Sequence, residues 1–154
     1  MLPYWSKIND ESIKNIILCD EIFTGSVVVI GLGALILNGL SYHAVEYNLT
    51  VLSSCIEMDG IHSGLFRYEY IEDYNKFIGY EENSHIPTPE RAICNCILYT
   101  RWYSFLGEAL QFYIEDDELY NEGKLIETAE KLGIPRERIL DEIEEVRRYV
   151  WGEY

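Results

Sequence analysis

"VVVIGLGALILNGLSYHAVEYNLTVLSS", residues 27–54, can be read as a membrane span, a nucleotide-binding turn, or a strand that turns into a helix. The apolar run Val27–Leu40 is fourteen residues long and is interrupted by Asn38. A bilayer needs about twenty apolar residues, so a span is rejected. The β-branched segment "SVVVI" favours a strand, and "ALILNGL" favours a helix that Gly39 can close. "GLG" lacks both the full GxGxxG and the GK[ST] ending of phosphate loops. Close packing of helix on strand is therefore the expected reason for Gly31 and Gly33.

Working outward, "INDESIKNIILCDEIF" (8–23) reads as an amphipathic helix capped by Asn9 or Asp10, with Ile13, Ile16 and Ile17 inward. "YNLTVLSSC" reads as a strand. "GLFRYEYI" alternates Leu65, Arg67 and Glu69 against Phe66, Tyr68 and Tyr70, the period of a half-buried strand. A polar connection follows, and then the character changes. "TPERAICNCILYTRWY" opens a helix with Thr88 as N-cap and Pro89 at its first position, its inner face Ala92, Ile93, Cys96 and Ile97. "SFLGEALQFYI" and "ELYNEGKLIETAEKLGI" read as helices, the second stopped by Gly133. "PRERILDEIEEVRRYVWGEY" starts at Pro135 and carries Ile139, Ile143, Val146 and Val150 on one stripe. The expected fold is α+β: a small mixed sheet with flanking helices (1–86), then a helical C-terminal part (87–154), sharing one core as a single domain.

Composition narrows the function classes. Of 154 residues, 48% are hydrophobic and 14% aromatic, which argues against disorder. The net charge of −15 repels phosphate backbones, and it would suit a basic partner or simply keep the protein soluble. "MLPYWSKINDE" shows no secretory leader, so a cytoplasmic protein with reduced thiols is expected. Cys94 and Cys96 would point about 200° apart on a helix, a poor arrangement for zinc, so buried structural thiols are expected. His43, His62 and His85 show no ligand spacing.

The order strand, "GLGALILNGL", strand resembles the start of minimal nucleotidyltransferases and their degenerate relatives. In active members a glycine turn and helix precede a strand bearing two carboxylates in D-x-D order, which hold the Mg²⁺ of a triphosphate. Here Glu46 and Asn48 stand in those places, and Leu32 separates Gly31 from Gly33. Gly31, Gly33, Glu46 and Asn48 are accordingly read as a nucleotide-site remnant, with no catalytic residue, metal or cofactor expected.

"GALILNGLS" followed by "TPERAICNCI" (88–97) resembles the AbiEi-type antitoxins of type IV, abortive-infection toxin–antitoxin systems. The likeness runs in order and spacing over about residues 26–130, with Asn95 where the family often has Asp. Many of these antitoxins carry an N-terminal winged helix that binds their own promoter. About twenty-five residues precede the first strand here, so no winged helix and no DNA binding by this chain alone are expected. The resemblance implies a non-catalytic regulator that offsets a nucleotidyltransferase toxin. The alternatives are an acidic protein-binding inhibitor from a phage or mobile element, and an atypical nucleotidyltransferase. The expected partner surface joins the aromatics Tyr99, Trp102, Tyr103 and Tyr113, as buried anchors, to the acidic turn Glu115, Asp116, Asp117 and Glu118. Core packing is the competing expectation for Trp102 and its aromatic neighbours.

Overall fold

The structure is a computed structural model, and it describes residues 27–41, 49–63, 66–70, 72 and 86–151. The expected helix over 8–23 lies outside the described residues, as do Glu46 and Asn48.

Strand β1 (Val27–Ile30) is the β-branched run, and Val28, Val29 and Ile30 are all buried. Continuous burial, rather than alternation, marks a strand covered on both faces. Gly31 then turns the chain into helix α1 (Leu32–Leu37), which begins two residues earlier than "ALILNGL". The far end of α1 is a Schellman cap. Gly39 takes φ +73°, Gly39 N–H donates to Ile36 O (3.0 Å), and Leu40 N–H reaches back to Leu35 O (2.8 Å). These bonds satisfy carbonyls that the helix end leaves open, and the buried Leu40 supplies the accompanying apolar contact.

Strand β2 (Leu49–Ser53) pairs antiparallel with β1, setting Val28 opposite Leu52 and Ile30 opposite Thr50. A 3₁₀ turn (Ile56–Met58) leads to the two-residue strand β3 (His62–Ser63), which runs back so that β4 (Phe66–Tyr70) slots in beside β2. β2 and β4 are parallel, with Val51 opposite Tyr68, whereas β3 and β4 are antiparallel. The order is β1-β2-β4-β3, a small mixed sheet. Tyr68 is buried and Arg67 exposed, as the period of two requires.

Helix α2 (Pro89–Leu98) starts as its sequence dictates, with Thr88 Oγ1 accepting Arg91 N–H at 3.2 Å and Pro89 in the first turn. At Tyr99 the backbone becomes extended (φ −115°, ψ 106°), and a 3₁₀ segment, Thr100–Phe105, leads into α3 (Leu106–Glu115). α3 buries Leu106, Ala109, Leu110 and Tyr113, the i, i+3, i+4, i+7 stripe of an amphipathic helix. Asn121 caps α4 (Glu122–Lys131) by accepting Lys124 N–H at 3.0 Å. A second Schellman cap at Gly133 (φ +83°) ends α4, with Ile134 N–H bonded to Ala129 O at 2.9 Å. α5 (Arg136–Trp151) buries Ile139 and Ile143 and half-buries Val146.

Both parts feed one apolar cluster, running from Val28 through Leu52, Ile93, Trp102 and Leu125 to Ile143. Each fully buried aliphatic side chain there contributes about 1.5–3 kcal/mol. Among the described residues, no helix is long and apolar enough to cross a membrane.

Candidate functional site

The glycine turn is filled from within. Gly31 sits at φ +76°, ψ −148°, a backbone region open almost only to glycine. A Cβ placed on it would lie 2.5 Å from both Cε2 and Cζ2 of Trp102. The indole thus lies directly against the turn where a nucleotide phosphate would have to approach. Leu32, Gly33, Ala34 and Leu35 are all buried, so the start of the six-residue α1 faces protein and not solvent. Gly31 acts here as a close-packing glycine, and Gly33 is buried in the first turn of α1.

Trp102 is held in that seat from two sides. The Arg101 guanidinium lies 4.0 Å from the Trp102 ring centroid, a cation–π contact. The same guanidinium donates in bidentate fashion to Glu69 Oε1 (2.9 Å) and Oε2 (2.6 Å) on β4. Tyr99 packs edge-on against the indole at 5.6 Å. At 3% exposure Trp102 is core, which corrects its expected place on a partner surface.

The "TPER" segment is also interior. α2 is buried on nearly every side: Glu90, Arg91 and Asn95 are as deep as Ala92, Ile93, Cys94 and Cys96. This departs from the one-sided stripe expected from the sequence, because α2 is packed by α1, α3, α4 and the 3₁₀ segment together. Glu90 Oε2 accepts from Tyr113 Oη at 2.6 Å, and Lys124 Nζ stands 3.5 Å from Oε1. Tyr113 Oη in turn accepts Asn121 N–H at 2.9 Å. Burial, and then the Glu90 carboxylate, push the Tyr113 phenol far above its ordinary value. One buried carboxylate thereby ties α2 to α3 and to the start of α4. Tyr113, expected at a partner surface, has no exposure at all and serves this internal network. Polarity is not fully satisfied inside α2: neither Nδ2 nor Oδ1 of the buried Asn95 has a hydrogen-bond partner, and Glu90 Oε1 has only the Lys124 ammonium nearby.

The "GALILNGLS" and "TPERAICNCI" segments meet in space. Asn38 Nδ2 donates to Ala34 O (2.8 Å) within α1 and to Pro87 O (3.2 Å), just ahead of the α2 cap. Asn38, which interrupts the apolar run in the sequence, thus ties the end of α1 to the approach to α2, as Arg101 and Glu69 tie the 3₁₀ segment to β4.

Cys94 and Cys96 are both pushed up to about 12 by burial, with Arg91 partly opposing the rise at Cys94. Thiols so hard to ionise are poor nucleophiles and poor metal ligands. Cys55 is half-buried beside Glu57 Oε2 (3.4 Å). Among the described residues, no three His, Cys, Asp or Glu side chains are grouped as a metal site.

The remaining expected site residues are at the surface. Glu115, Asp116, Asp117 and Glu118 are exposed and, with Phe112 and Gly39, line an open cavity of about 520 Å³. Asp116 Oδ1 accepts from Glu118 N–H (3.1 Å) and Leu119 N–H (3.2 Å), so this acid also shapes the turn. Tyr103 is 44% exposed and donates to Glu142 Oε1 at 2.8 Å. The acidic turn lies against the cap of α1, whereas Tyr103 is bound to α5. Nothing in the sequence pattern linked Gly39 to the acidic run, whereas Phe112 lies one helical turn before Glu115, a local cue to its place beside it.

No protein-family model, curated protein or solved structure matches the chain.

Proposed function

We propose that this protein is a non-catalytic, antitoxin-like regulator that counteracts a nucleotidyltransferase-type toxin of a phage-defence toxin–antitoxin system, acting in the cytoplasm by binding protein. The observation that supports it most directly is the Asn38–Pro87 junction, which makes one unit of the two segments that resemble AbiEi antitoxins. The indole packed on Gly31 supports the non-catalytic part, because a triphosphate needs the space that Trp102 fills. The partner surface in this proposal is the acidic turn Glu115–Glu118 over Phe112. Its charge, within a chain of net −15, would speed encounter with a basic partner and disfavour DNA.

The same acidic, half-apolar surface suits the second reading, an inhibitor of a basic protein from a phage or mobile element. Co-expression separates the two. With the nucleotidyltransferase toxin encoded beside it, the chain should restore growth, and Asp117→Lys with Glu118→Lys should weaken rescue while leaving thermal stability nearly unchanged. Failure of the wild-type chain to rescue at matched expression, or the lack of such a neighbouring toxin, would overturn the antitoxin reading. Full rescue by the charge-reversed variant would remove the acidic turn from it.

A further inference from the structure

We draw no further inference here: the strongest candidate, the acidic cavity between the α1 cap at Gly39 and the Glu115–Glu118 turn, belongs to the partner surface already proposed, and no second observation in the structure shows what would fill it.

Discussion

Replacing Gly31 with alanine tests whether the glycine turn is a packed seam or an open anion cradle. Two costs arise together. Alanine at φ +76°, ψ −148° is strained by about 1–3 kcal/mol. Its Cβ, 2.5 Å from two ring carbons of Trp102, forces an interior side chain to move, adding about 1–3 kcal/mol. Their sum, about 2–6 kcal/mol, is a large part of the roughly 5–15 kcal/mol by which a domain is stable. For a chain of 154 residues, at about 2–4 °C per kcal/mol, the midpoint should fall by roughly 4–24 °C. The two costs can be told apart in a second background. Trp102→Leu is itself destabilising, but it removes the ring, so adding Gly31→Ala there should cost only the backbone strain. Urea unfolding followed by far-ultraviolet circular dichroism measures all four proteins without depending on tryptophan emission. A wild-type-background cost below about 1 kcal/mol, or an equal cost in both backgrounds, would refute the claim that Trp102 closes the turn.

Further outcomes concern α2 and the helices packed on it. Tyr113→Phe leaves the buried Glu90 carboxylate without its 2.6 Å donor and Asn121 N–H without its acceptor, so it should cost about 1.5–3 kcal/mol in urea unfolding. Lys124→Ala should cost much less, because that ammonium is half-exposed; equal costs would show that the ion pair, not the hydrogen bond, holds the network. Asn95→Leu should leave stability unchanged or raise it by up to about 1 kcal/mol, since no bond is lost and a buried amide is removed; a loss of about 2 kcal/mol would show that the amide is engaged. Cys94 and Cys96 should resist thiol reagents at pH 8 in the folded protein while Cys55 reacts, as mass spectrometry of alkylated peptides would show. Their folded values lie above the ordinary 9.0, so folding favours the protonated thiol. That contribution is fully present below about pH 9 and is lost as pH rises toward about 12, so the double variant Cys94→Ala, Cys96→Ala should lose less stability than the wild type across this window; an unchanged alkaline slope in the variant would contradict the assignment.

Some of this protein was fixed by short-range chemistry and can be read directly along the chain. Val27–Ile30 is a strand because β-branched side chains suit the extended backbone, and Thr88-Pro89 opens a helix because one supplies the cap and the other lacks a donor. Gly39 and Gly133 end helices because glycine tolerates the left-handed turn of a Schellman cap. The stripes of α3 and α5 are legible for the same reason, since neighbours three and four residues apart share a face. What pairs with what across the molecule was decided only by the tertiary structure. The sequence leaves Trp102 between core and interface until the chain brings Gly31 beneath it, and leaves Tyr113 likewise open until Glu90 and Asn121 bracket its hydroxyl. The extended backbone at Tyr99 and the 3₁₀ segment after it interrupt what the sequence shows as continuous helical pattern, and they seat that indole. α2 shows a one-sided apolar pattern, yet it is enclosed on nearly all sides, because the elements that cover Glu90, Arg91 and Asn95 come from distant parts of the chain. Helix caps and strand propensity depend on atoms a few residues apart, whereas burial depends on the packing of every element at once, and no local pattern records that.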